Sequence, residues 1–158
     1  MKKIKFTSIF ISLIALAIIQ VNFASAQEDP MILKLIELCD NEKNSVACFK
    51  MGERYRILER DNTTALSYFL KGCDAGHMTA CTHGGILTQM TDKQYSKAWK
   101  DAAKLYQKAC DAGEDPACFN MGTLKYREGR ASSARKYYKL ACDMKNAPAC
   151  ANLKKLQK

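Results

Sequence analysis

The sequence predicts an all-α chain, a right-handed α/α solenoid of stacked helical hairpins with one disulfide per repeat. Three observations carry that expectation. A motif built on paired cysteines recurs four times, apolar residues between the motifs fall at helical spacing, and each motif contains helix caps and turn residues.

The eight cysteines stand at 39, 48, 73, 81, 110, 118, 142 and 150. Aligned on them, the chain reads CDNEKNSVACFKMGERY, CDAGHMTACTHGGILT, CDAGEDPACFNMGTLKY and CDMKNAPACANLKKL. Three copies follow Cys-Asp-x5-Ala-Cys, and the first holds one extra residue between its cysteines. The first cysteines are 34, 37 and 32 residues apart, with related segments ahead of three of them: ALSYFLKGC, AAKLYQKAC and ARKYYKLAC. Self-similarity at a fixed period marks a repeat architecture, in which each unit buries its apolar side only against a neighbour.

The elements follow in order. Residues 1–26 have the three parts of a secretory signal peptide: Lys2, Lys3 and Lys5, an apolar run from Ile9 to Ile19, and Ala24-Ser25-Ala26 at the cleavage position. The apolar run is well short of the ~20 residues of a membrane span. Residues 27–158 are then one repeat domain, exported to the periplasm or beyond, with no stable membrane insertion after cleavage. A lone helix is expected over Met31–Cys39, three helical pairs after it, and a closing helix over Ala149–Gln157, eight helices in all. Cys48, Met51, Tyr55 and Leu58 fall on one face, as do Ala65, Phe69 and Cys73. Asp61, Asn62 and Thr63 offer starting caps, Gly76 and Gly113 the left-handed closing turn, and Pro116 and Pro148 suit a first helical turn. Gly52, Gly85 and Gly122 each lie four residues after a second cysteine, at an intrinsic cost of ~1 kcal/mol against Ala. Close packing of two helices accounts for them. The middle unit carries an insertion, MTDKQYSKAWKDA, whose Tyr95 and Trp99 are expected to cap the joint between units.

An even cysteine count in an exported chain argues for disulfides. The first cysteine of each pair ends a helix and the second opens the next, within bridging reach across a tight turn. The expected pairs are Cys39–Cys48, Cys73–Cys81, Cys110–Cys118 and Cys142–Cys150, each stabilising by ~2–3 kcal/mol in the chain-entropy model. Zinc binding wants closer pairs and redox catalysis wants C-x-x-C, and the chain has neither. His77 and His83 are the only histidines, so no metal and no cofactor is expected. Asp40, Asp74, Asp111 and Asp143 follow the first cysteines as a repeat feature with a structural role. The net charge of +9 falls to +6 without residues 1–26, a moderately basic surface rather than a nucleic-acid footprint.

The wording CDAGEDPACFNMG and YQKACDAG, with paired cysteines in repeated hairpins, resembles the Sel-like repeat (SLR) family, more closely its exported branch, the Helicobacter cysteine-rich proteins. The resemblance covers nearly all of residues 31–157 and implies hairpins related to tetratricopeptide repeats, with a disulfide in each. The longer first pair, the truncated last unit and THGG in place of FKMG or FNMG depart from the pattern. It further implies weak β-lactamase activity or penicillin and muropeptide binding. A serine β-lactamase needs S-D-N and K-T-G partners beside S-x-x-K. The chain has only Ser133-Ala134-Arg135-Lys136, within an expected helix, so no catalytic residue is assigned.

Laid on the tetratricopeptide register, the first helices of the pairs line a groove. It is built from Phe49, Lys50 and Glu53; His83, Ile86 and Gln89; Phe119, Asn120, Thr123 and Tyr126; and Asn152. Amides and lysine suit a peptide backbone or carboxylate, and aromatics suit apolar side chains. The expected protein is a monomeric scaffold for a protein or peptide ligand, with a cell-wall fragment as the second ligand class.

Overall fold

The computed structural model describes residues 29–90 and 97–156. The expected signal peptide and Tyr95 lie outside them. Eight α-helices run in chain order among the described residues: α1 Pro30–Asp40, α2 Ser45–Arg54, α3 Asn62–Asp74, α4 Met78–Met90, α5 Lys97–Asp111, α6 Asp115–Arg127, α7 Ala131–Asp143 and α8 Ala147–Lys155. Residues 34–158 make one compact unit, and residues up to Leu33 belong to another. Of that second unit the described part is the start of α1, where Asp29 Oδ1 accepts from Met31 N at 2.9 Å. Helices α2/α3, α4/α5 and α6/α7 are antiparallel hairpins stacked in series as an α/α solenoid, and α8 closes the stack against α7.

The turns between hairpins explain the cysteine motif. After α3 and α5 the chain enters the left-handed region at Gly76 (φ +93°) and Gly113 (φ +89°). The next amide then bonds back five residues, His77 N to Gly72 O at 2.8 Å and Glu114 N to Ala109 O at 3.0 Å. Both turns are Schellman closures. The last turn has the same shape with Lys145 (φ +69°) in the glycine's place and Asn146 N on Ala141 O at 3.0 Å. The extra residue of the first motif is taken up here too: Asn44 N reaches back six residues to Leu38 O at 3.0 Å, with Lys43 at φ +51°. Each turn brings its two cysteines to 4.6–4.8 Å between α-carbons, bonded as Cys39–Cys48, Cys73–Cys81, Cys110–Cys118 and Cys142–Cys150. The bridges therefore cross the joints between hairpins rather than the hairpins themselves.

Within each hairpin, the glycine four residues after the second cysteine seats an aromatic ring from the second helix. A Cβ at Gly52 would lie 2.6 Å from the Phe69 ring, at Gly85 2.6 Å from Tyr106, and at Gly122 2.7 Å from Tyr138. All three rings are buried. A missing side chain lets a large apolar surface lie flat on backbone, which repays the low helix propensity of glycine.

Helix starts use local caps. Asp61 Oδ1 accepts from Thr63 N and Thr64 N at 3.0 Å, Asn44 Oδ1 from Ala47 N at 3.0 Å, and Asn146 Oδ1 from Ala149 N at 3.0 Å. Pro116 and Pro148 fall in first turns. The four motif aspartates sit at the ends of their helices; Asp40 pairs with Lys71 at 2.6 Å, Asp111 accepts from Gln107 at 2.6 Å, and Asp143 pairs with Lys139 at 2.7 Å.

Two expectations are corrected. Leu58, placed on the apolar face with Cys48, Met51 and Tyr55, is 67% exposed. The cause is a π-helical turn over Tyr55–Glu59 after α2, closed by Arg60 at φ +55°. Its wider i→i+5 pitch rotates Leu58 off the face, while Tyr55 stays half-buried and stacks on Tyr68 at 5.5 Å. The closing helix begins two residues earlier than expected, at Ala147, because Asn146 supplies the cap. Trp99 packs in the joint, buried with Ala102, Tyr106, Met121 and Leu124 between α5 and α6.

Candidate functional site

The first helices α2, α4, α6 and α8 carry the predicted groove residues, and their order follows from the cysteine register. The second residue after each second cysteine is Lys50, His83, Asn120 or Asn152, and the fifth is Glu53, Ile86, Thr123 or Lys155. One side of each helix therefore repeats along the stack.

Between α2 and α4 the face is filled. Glu53 Oε1 lies 2.8 Å from His83 Nδ1, and since a carboxylate only accepts, that nitrogen is the donor. Arg56 holds the same carboxylate with two bonds, 3.0 Å to Oε1 and 2.9 Å to Oε2. The Arg56 bond, opposed by burial and aided by His83, holds Glu53 below the usual carboxylate range. Phe49 stacks on His77 at 4.4 Å and meets His83 at 5.6 Å and Phe69 at 5.9 Å. Both histidines of the chain thus pack on one phenyl ring. The His77 Nδ1 accepts from Ala80 N at 3.3 Å, starting α4.

Between α4 and α6 a depression of about 520 Å³ is lined by Ile86, Gln89, Met90, Trp99, Tyr106, Asn120, Thr123 and Arg127. Four of these are predicted groove residues. Its floor comes from α5, where Tyr106 O–H donates to Gln89 Oε1 at 3.1 Å and fixes the amide. Burial pushes the Tyr106 phenol far above its ordinary range, with Arg127 pulling weakly the other way, so it is a neutral donor. A second depression of about 250 Å³ lies between α6 and α8, lined by Tyr126, Tyr138, Asn152, Lys155 and Leu156. Two predicted residues, Tyr126 and Asn152, meet there.

The rest of the set falls outside these depressions. Lys50 is exposed on α2. Phe119 packs into the core beside Tyr138 at 5.9 Å, matching Phe49 on Phe69. Met90, Trp99, Tyr106, Arg127 and Lys155 line the face without having been predicted. The tetratricopeptide register considers first helices only, and the α5 floor is invisible to it. Lys155 shares the offset of the predicted Glu53, Ile86 and Thr123, and Met90 and Arg127 lie one helical turn beyond Ile86 and Thr123, which is the signal that marks them.

Ser133 and Lys136 lie early in α7 and line neither depression. A third hollow of about 460 Å³, lined by Cys39, Asp40, Lys43, Lys71, Asp74 and Ala75, sits at the first two turns, crossed by the Lys71–Asp40 pair. Among the described residues no three His, Cys, Asp or Glu side chains are grouped to hold a metal ion, and no helix is long and apolar enough to cross a membrane.

Helical hairpins in series, with a lined face on their first helices, define a helical-repeat protein. The chain belongs to the Sel1 repeat family, whose repeat matches residues 45–77, 87–114 and 115–146. The first and third matches coincide with the α2/α3 and α6/α7 hairpins. Among solved structures it is similar to the crystal structure of a Sel1 repeat protein from Oxalobacter formigenes, with a TM-score of 0.62 at 20% identity over 78% of this chain and 97% of that one. That likeness is one of fold. No curated protein matches the chain.

Proposed function

We propose that this Sel1 repeat protein is an exported scaffold that holds a protein or peptide partner on the face of its first helices. The observation that supports this is the repeat of side-chain positions along that face, which places amides, a phenol and exposed aliphatic groups in two successive depressions. Amides can bond a peptide's N–H and C=O groups together, and open apolar surface accepts its side chains. The four bridged turns suit an oxidising compartment, periplasmic or extracellular.

The test is photocrosslinking in cells from an unnatural residue at Gln89, with Lys136 on α7 as the control position. Crosslinks to one discrete partner from Gln89 alone are the expected result. Equal labelling from both positions removes the face assignment. Export is checked separately by fusing residues 1–30 to alkaline phosphatase, which is active only outside the cytoplasm.

A further inference from the structure

The joints of the face are not equivalent. At the first, the fifth-position Glu53 and the second-position His83 bond each other, so the chain fills that joint with its own side chains. At the second, the matching residues are Ile86 and Asn120, and they line an open depression. At the third, Tyr126, Asn152 and Lys155 line another. The open part of the face thus begins at α4 and runs to α8.

Charge is distributed the same way. Residues 29–90 hold seven Lys and Arg against eight Asp and Glu, whereas residues 97–156 hold thirteen against six. Helix α4 has no Lys, Arg, Asp or Glu, and it ends in Ile86 and Met90, 37% and 66% exposed. Arg127 lines the depression between α4 and α6, and Lys155 the one between α6 and α8. An apolar end therefore passes into a basic one along a single track.

We infer that the face takes an extended acidic peptide segment, an aliphatic side chain seated on Ile86 and Met90 and its carboxylates directed to Arg127 and Lys155. This rests on the groove reading above and adds the footprint, polarity and charge of the partner. Long-range attraction between an acidic segment and the basic half speeds encounter, and the apolar seat fixes register.

The test begins with random peptides displayed on phage and selected on the oxidised protein. A fluorescein-labelled copy of the consensus is then followed by anisotropy. The consensus is expected to hold two or more Asp or Glu beside one Leu, Ile, Val or Met. Its Asp→Asn, Glu→Gln copy should bind about tenfold more weakly, as should the Arg127→Glu, Lys155→Glu double variant, with Lys50→Glu unchanged. Raising NaCl from about 50 to about 300 mM should weaken binding several-fold. Helical circular dichroism establishes that each variant is folded. Selected peptides that are lost on Ile86→Asp but carry no acids overturn the acidic class and leave the groove reading standing. A loss with Lys50→Glu equal to that with the Arg127 and Lys155 changes overturns the footprint. Binding indifferent to Ile86→Asp and Asn120→Ala, or no enrichment at all, refutes the groove reading itself.

Discussion

Two adjacent glycines on α4 separate helix propensity from packing. At Gly84 a new Cβ would meet Leu70 Cδ2 at 3.6 Å, Leu105 Cδ1 at 3.7 Å and Phe69 Cβ at 3.7 Å, ordinary contacts. At Gly85 it would meet Tyr106 Cε1 at 2.6 Å and Cδ1 at 2.8 Å. That ring is buried and its hydroxyl is held by Gln89, so it has no free end to swing aside. Both Gly→Ala changes gain about 1 kcal/mol of helix propensity. Gly85→Ala also incurs overpacking of about 1–3 kcal/mol. The intrinsic term cancels in the comparison, and Gly85→Ala should be less stable than Gly84→Ala by about 2 kcal/mol. At this chain length that is about 6–8 °C in melting temperature. Urea unfolding of the oxidised proteins, followed by helical circular dichroism, measures it directly. If Gly85→Ala proves as stable as Gly84→Ala, the ring-seat account is wrong and the glycine has another cause.

The turns give a matched pair of expectations. Lys145→Gly should stabilise by about 1 kcal/mol by relieving a left-handed lysine, and Gly113→Ala should destabilise by about as much, both read from urea midpoints. Glu53 titrates lower in the fold than its ordinary value near 4.5, so its contribution is present above that pH and is lost as pH falls through the folded value. Melting temperatures of wild type and Glu53→Gln should therefore differ at pH 6, and the difference should shrink as pH is lowered through the depressed folded value. Cys142 and Cys150 are half-buried while the other six cysteines are buried, so limiting dithiol should open this bridge first. Alkylation and peptide mass mapping identify the pair, and opening of a central bridge first contradicts the access argument. A chromogenic cephalosporin should turn over no faster than in buffer, with Ser133→Ala identical to wild type.

The architecture was legible because the cysteine motif is a ruler. Once Cys48, Cys81, Cys118 and Cys150 are aligned, residues at equal offsets share a role, and the Gly52, Gly85 and Gly122 seats follow from that alone. The left-handed turns at Gly76 and Gly113 were equally plain. Lys145 takes the same backbone shape with no glycine to announce it, since the bridge and the Asn146 cap set the turn from both sides. The π turn at Tyr55–Glu59 left no mark either: Leu58 keeps helical spacing, and only the packing of Tyr55 on Tyr68 shifts the register. Part of the site was legible for the reason the repeat was. Ile86, Gln89, Asn120 and Thr123 come together because their offsets match across α4 and α6. What the offsets omit is depth. Tyr106 and Trp99 reach the face from α5, and the closure of the first joint depends on the chance meeting of one carboxylate with one imidazole.

The ring seats also govern where the stack can grow. A solenoid is open-ended, and any unit with an unfilled docking position invites another copy onto it. In α8 the residue four places after the second cysteine is Lys154, exposed, where the earlier first helices have glycine. An aromatic ring arriving there would meet an ammonium on a long stem instead of bare backbone. The same position that locks three hairpins together therefore offers no ring seat at the fourth, so α8 closes the stack without the packing device that builds each hairpin.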